Sequence, residues 1–458
     1  MNATPDLPLR LTVPGFGSVR CARALRVLPG RRWTLAGTLE HDGRPVVAKL
    51  FLGGRARRYF ARERRGLEAL HARGLDAPEL LYAGPCAEPA GWLIVTVWLP
   101  GSPGDALGEA ALVAVLRAVA LHHAHGIEQR DAHLGNFLVR GGVAWTLDGA
   151  GIRAGRAPLP ARRARRNLAQ WLAQFPPSLD ARLGEWCALY GRLAAPLERA
   201  TLQRALDRAR RRREAECMDK ALRSCTAFVA LRSLRRFAVL DRRDDAPQLR
   251  AWLDAPDAPY EDLRAQWLKR GNSASVLRVE LDGRVRVIKR YNLKNLAHRL
   301  RRLWRPSRAW HSWRNAQRLA LWGLPTPRPV ALLEHRFGWL RGRAWYVCEW
   351  VAGESLAQVL PAADPPRRDL LLDRLCALLA DLARLRLTHG DLKATNLLVD
   401  QDNQLMLLDL DALRRHRRRA TFERALARDI ARLRANWADD AELLAALDAA
   451  LTAAGLAR

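Results

Sequence analysis

Apolar, β-forming residues gather in three short runs near the start of the chain, 22–28, 33–39 and 45–51, with polar breaks between them. The breaks between them are Pro29-Gly30-Arg31-Arg32 and His41-Asp42-Gly43-Arg44, both turn-forming. The pattern predicts three antiparallel strands. It returns at 267–269, 276–281 and 284–291, with the breaks Arg270-Gly271-Asn272-Ser273 and Asp282-Gly283. A helix-period stripe follows each set, YFARERRGLEALHARGLDAP and RAWHSWRNAQRLALWGLPTP, each closing on Gly-Leu and a nearby Pro. Next come apolar strands at 91–98 and 344–351, and then Ala/Leu-rich helices near 105–124 and 368–386. After these stand QRDAHLGNFLV and HGDLKATNLLV, then TLDGAGI and LLDLDAL. Later still, ARRNLAQWLAQF is echoed by ARDIARLRANW.

Elements recurring in one order indicate an internal duplication. The expected organisation is two tandem domains, 1–245 and 246–458, joined through the Asp/Pro/Ala-rich stretch 241–262. Residues 178–240 read as an all-helical part of the first domain. The fold class is α+β, each domain having a small antiparallel β lobe and a helical lobe.

Composition changes this picture in one respect. The chain has 458 residues, 77 Lys plus Arg against 47 Asp plus Glu, and a net charge of +30. Such an excess calls for a polyanionic partner. With 49% apolar residues the chain is otherwise of ordinary globular composition. Zinc-finger, RNP-like and helix-turn-helix signatures are missing, so nucleic acid is the less favoured partner. Seven scattered cysteines form no CxxC pair, and the N-terminal segment shows no basic-then-apolar leader, which together suit a reducing cytoplasm.

The cationic chemistry is mostly Arg. Lysine occurs six times, and two of the six lie among β-formers in corresponding strands: Lys49 in VVAKLF and Lys289 in VRVIKRY. Each sits 18 residues beyond the first turn. Downstream, Asp131 is followed five residues later by Asn136, and Asp391 by Asn396. A second carboxylate ends an apolar strand 12 residues on (Asp148) or 13 on (Asp409). Phosphoryl transfer asks for these groups. A cation holds the non-transferred phosphates, hard oxygen donors hold Mg²⁺, and a carboxylate meets the acceptor hydroxyl. The constellation is that of a protein-kinase-like phosphotransferase.

HGDLKATNLLV, LLDLDAL and VIKRYN resemble the lipopolysaccharide core kinases of Gram-negative bacteria: the heptose kinases, the Kdo kinases and their InaA-like relatives. VAKLF, Arg62-Glu63 and DAHLGNFLV are similar to the Kdo-kinase branch, and the resemblance covers roughly 22–175 and 266–437. It implies two tandem protein-kinase-like domains, Kdo-kinase-like then heptose-kinase-like. It further implies ATP and Mg²⁺ as cofactors, and phosphorylation of an inner-core sugar of lipopolysaccharide or a lipid A–core precursor. The location implied is cytoplasmic, peripheral on the inner membrane.

Carried over by position, Lys289 would serve the α/β-phosphates, Asp391 the acceptor hydroxyl and Lys393 the γ-phosphate. Asn396 and Asp409 would hold the metal, and His389 would brace the loop. Gly271, Asn272 and Ser273 stand where a glycine loop would cover the nucleotide. In the first domain the equivalents are Lys49 with its helix partner Glu63, then Asp131, Asn136 and Asp148.

The two copies depart from the pattern differently. The first has His133 in place of Lys393 and Gln129 in place of His389. The second has Ser312 where the helix glutamate belongs. The second is favoured as the catalytic copy. The alternatives are a pseudokinase or half-active scaffold in core assembly, or a kinase of another small hydroxyl acceptor.

Two features stay open on sequence. In 290–314, Leu293, Leu296, Leu300 and Leu303 make a stripe opposed by Arg and His, suiting either an anionic membrane interface or packing on its own lobe. His122, His123 and His125, ending a helix, read as partners of its dipole rather than as metal ligands.

Overall fold

The computed structural model describes residues 5–262, 266–292 and 304–456. It is a mixed α/β structure of antiparallel sheets and helices. The chain divides into two compact units. One comprises Met1–Phe175 with Leu179–Arg211, the other Pro176–Ser178 with Arg212–Arg458.

The first unit opens with a six-stranded sheet in the order Leu9–Val13, Gly17–Leu28, Arg32–Leu39, Pro45–Phe51, Gly91–Val97, Leu80–Cys86. Alternation sorts its faces. Val46, Ala48 and Leu50 join Leu11, Val19 and Leu35 in one core. Phe51 turns to the other side, against Phe60, Leu67 and Leu70 of the helix Ala56–His71. Lys49 shares the face of Phe51, so its side chain points at that helix. A second core forms around Leu112–Ala124 and Ala161–Leu172.

In the second unit seven antiparallel strands run in the order Phe228–Arg232, Arg236–Asp241, Pro329–Phe337, Leu340–Glu349, Arg284–Tyr291, Ala274–Leu281, Gln266–Arg270. The helix Arg308–Leu321 covers one face with Trp313 and Leu319, and Leu-rich Pro365–Arg384 centres the helical part. Asp364 caps that last helix by accepting from Arg367 N at 3.0 Å, and Pro365 occupies its first position.

Three expectations change. Residues 228–241 are a hairpin that extends the second unit's sheet, with Phe237, Ala238, Val239 and Leu240 all buried, and the units divide at 211/212 rather than near 245. The stretch 241–262 is not a bare linker. Its helix Pro247–Asp254 packs Leu249, Trp252 and Leu253 on the sheet's far face, and buried Asp244 binds Arg286 and Arg328. His122 and His123 are core residues. Burial first, for both, pulls their pKa down to about 3 and about 4, which leaves them neutral. His123 bonds Tyr190 Oη at 2.8 Å and Asn167 at 3.0 Å, and His122 bonds Thr146 at 3.2 Å.

The stripe Leu293–Leu303 lies outside the described residues. Of the neighbouring tryptophans, Trp304 is exposed while Trp313 is core, donating to Ala221 O at 2.8 Å. Among the described residues, no helix is long and apolar enough to cross a membrane.

Candidate active site

In the second unit the strand Arg284–Tyr291 places Val287, Lys289 and Tyr291 on one face, where they line a cavity of about 400 Å³. Asn396 and Asp409 line the same cavity, together with Ser273, Arg308 and Ser312. Val276 and Val287 from the sheet face it, as do Leu398 and Leu407 from the hairpin Leu397–Val399/Leu405–Leu407. The chain segment Glu349, Trp350 and Val351 borders it as well.

Lys289 Nζ meets Asp409 Oδ1 at 2.5 Å. Burial opposes charge on Asp409, but Lys289 and donors around it, Arg308 included, outweigh that and hold the carboxyl below its usual range. Asp411, itself bound by Arg308, is pushed up by burial and by the charge of Asp409. For Lys289, burial works against the ammonium, and Tyr291 and then Asp409 more than restore it. Asp409 has φ = +54°, a left-handed conformation that non-glycine residues rarely adopt. Such a cost persists where surrounding structure enforces it, commonly at functional sites.

Asp391 sits between two cations, Lys393 Nζ at 3.2 Å and Arg432 Nε at 3.7 Å, and is 37% exposed. Asn396 Nδ2 donates to Asp391 O at 2.9 Å and lies 3.4 Å from its Oδ2. His389 Nε2 bonds Leu408 O at 2.8 Å, next to Asp409. These contacts hold loop, amide and strand-end carboxylate in one frame. Of the proposed cover, Ser273 lines the cavity. Gly271 O accepts from Asn292 at 3.0 Å, and Asn272 is exposed at the turn. Ser312, at the glutamate position, bonds Tyr291 Oη at 2.7 Å, so Lys289 is left to Asp409.

The first unit is wired differently. Lys49 Nζ is ion-paired to fully buried Glu63 and donates to Leu147 O at 2.7 Å. Burial lifts Glu63 to about 7 against the pull of Lys49. Glu63 also accepts from Gly149 N at 3.3 Å and Ala150 N at 3.0 Å. Asp148 lies far below the usual range. Burial opposes that shift, and Lys49, Glu63, Ala150 N and Arg32 produce it. Arg32 Nη1 stands 3.9 Å from Asp148 Oδ2. Asn136 Nδ2 donates to Asp131 O at 2.9 Å, as in the second copy. His133 turns its Nδ1 to accept from Gly135 N at 3.0 Å.

The helix Ala56–His71 lies so close to 148–150 that a Cβ on Gly66 would overlap the Gly149 carbonyl. Gly66→Ala is therefore expected to destabilise the first unit by about 1–3 kcal/mol. Denaturant titration of the full chain would read this as an earlier first-unit transition.

One pair of site residues was missed on sequence. Buried Asp429 accepts from Gly390 N at 3.0 and 3.1 Å, and buried Asn167 donates to Gln129 O at 2.8 Å. Each fastens the loop ahead of its Asp from a later helix. The available signal was the echo between ARRNLAQW and ARDIARLRANW.

No curated protein matches the chain. Residues 259–452 match the model described as the lipopolysaccharide kinase (Kdo/WaaP) family, and they contain Lys289, Asp391, Asn396 and Asp409. The resemblance read from HGDLKATNLLV and VIKRYN thus holds for this part of the chain, where residues 259–452 are similar to the Kdo/WaaP lipopolysaccharide kinase family.

Proposed function

We propose that the second unit is an ATP- and Mg²⁺-dependent phosphotransferase acting on a hydroxyl of a lipopolysaccharide inner-core sugar, heptose or Kdo, at the cytoplasmic face of the inner membrane. The observation that carries this reading is the meeting of Lys289, Asn396 and Asp409 in one cavity beside the Asp391–Lys393 loop.

The donor set fits the groups assigned to it. A carboxylate held ionised and an amide oxygen are hard ligands suited to Mg²⁺, and Lys289 is a compact cation suited to the α/β-phosphates. The apolar walls from Val276, Val287 and Leu398 suit a flat base. Bound Mg·ATP supplies the γ-phosphoryl group and neutralises charge on the phosphates. Asp391 would take the proton from the acceptor hydroxyl as that oxygen bonds the γ-phosphorus, while the bond from that phosphorus to the β,γ-bridging oxygen breaks and ADP leaves. Lys393, two residues on, balances charge at the γ-position. His389, Asn396 and Asp429 keep the loop aligned.

We also infer that the first unit is a kinase-like copy with an idle cleft. The supporting observation is a second cation at the strand-end carboxylate, Arg32, whose Nη1 stands 3.9 Å from Asp148 Oδ2. By the 18-residue spacing the second unit has Asn272 at this position. His133 supplies no ammonium in place of Lys393.

Thermal unfolding of the full chain with Mg·ATP tests both statements. Lys289→Ala is expected to remove the nucleotide-dependent stabilisation, and Lys49→Ala to keep it. Stabilisation that survives Lys289→Ala and disappears in Lys49→Ala would reverse the assignment. Mass spectrometry of core oligosaccharide incubated with the protein and ATP tests the acceptor, with one added phosphate as the expected product.

A further inference from the structure

A recess of about 670 Å³ lies on the first unit, lined by Arg58, Arg62, Arg65, Arg130 and Arg153 with the backbone of Ala150–Ala154. Among the described residues, no carboxylate lines it. Arg58, Arg62 and Arg65 are spaced i, i+4 and i+7, which sets them on one face of the helix Ala56–His71. Arg130 follows the strand Ile127–Gln129, and Arg153 lies in Ile152–Ala154, which pairs with it.

The walls are fixed. Arg130 N donates to Gly151 O at 2.9 Å, Arg62 donates to Ala150 O at 2.8 Å, and Gly66 leaves no gap between helix and loop. Among the described residues none of the five arginines forms an ion pair, although Arg64 on the same helix pairs with Glu68. Five guanidiniums around one concavity repel each other unless an anion joins them. Guanidinium forks fit phosphate oxygens in bidentate fashion.

We propose that this recess is a binding site for a phosphomonoester or pyrophosphate group, separate from both Lys-centred clefts. The phosphate belongs to a soluble phosphorylated molecule or to a lipid headgroup, and the chemistry of recognition is the same. The site has room for more than one phosphate, in keeping with a multiply phosphorylated ligand. The inference does not depend on which cleft transfers phosphate.

The test uses inorganic pyrophosphate and the full-length protein. Calorimetric titration is expected to show saturable binding that survives Lys49→Ala with Lys289→Ala. In Arg65→Gln with Arg153→Gln, binding weakens about tenfold or more, while Arg64→Gln leaves it unchanged. Pyrophosphate affinity equal in the Arg65/Arg153 variant and the wild type would overturn the proposal, as would loss of binding in the lysine variant.

A second measurement needs no variant. Phenylglyoxal labelling of wild-type protein, mapped by mass spectrometry, is expected to drop at Arg62, Arg65, Arg130 and Arg153 when pyrophosphate is present. Unchanged labelling at these positions would also refute it. Displacement of pyrophosphate by phosphatidic acid vesicles, and not by phosphatidylcholine vesicles, assigns the ligand to a lipid. Pyrophosphate binding that neither vesicle disturbs assigns it to a soluble phosphate.

Discussion

Asp391→Asn is expected to lower kcat for Mg²⁺-dependent phosphoryl transfer by about 10²–10⁴-fold, the range for losing a positioned general base. The amide keeps the shape and the reach to Asn396 but cannot take a proton. Binding of nucleotide rests on other groups, Lys289 above all, so the KM for ATP should hold. Lys289→Ala should show the opposite balance, with a raised KM. Asp409→Ala should abolish transfer, since a metal would lose its one ionised ligand. Asp131→Asn should leave the rate unchanged, because its loop offers His133 as a backbone cap where Lys393 offers a cation. Steady-state kinetics on the four variants checks this set. An inactive Asp131→Asn beside an active Asp391→Asn would move catalysis to the first unit.

The residues behind this prediction were legible because phosphoryl transfer constrains type and spacing together. Lys49 and Lys289 stood out as ammonium groups in strands of an Arg-rich chain. The Asp-x4-Asn pairs stood out because they occurred twice in the same context. Asp429 and Asn167 did not stand out, because a helix residue that reaches back to a loop leaves no local mark. The recess arginines were hidden by abundance. Arg130 and Arg153 are single residues among 77 basic ones, and only the pairing of two short strands joins them to the helix.

The fold shows the same division. Strands next to turns with Gly and Asp were readable. The hairpin 228–241 was not, because its FAVL core, buried on both faces, has no alternation to separate strand from helix. The strand Leu80–Cys86 carries Gly84 and Pro85, which punctuate the sequence where the structure continues a sheet edge.

Glu63→Ala is expected to cost the first unit about 3–5 kcal/mol, the range for stranding one member of a buried ion pair. Lys49 would keep Leu147 O and lose its carboxylate, and Gly149 N and Ala150 N would lose their acceptor as well. Glu63→Gln should cost less, because the amide oxygen still accepts from the backbone. The same site sets a pH dependence. Burial raises Glu63 to about 7 in the folded unit, above the 4.5 of an exposed glutamate. The folded form therefore holds this proton more tightly than the unfolded chain does. Its contribution to stability is complete below pH 4.5, falls as pH rises toward 7, and is gone above that. Unfolding of the wild type between pH 4.5 and 7.5 should follow this slope, and Glu63→Gln should flatten it. A wild-type unit that gains stability across that window would mean that Lys49 outweighs burial. The ion pair would then be a net source of stability, rather than a buried charge tolerated for the orientation it gives the strand lysine.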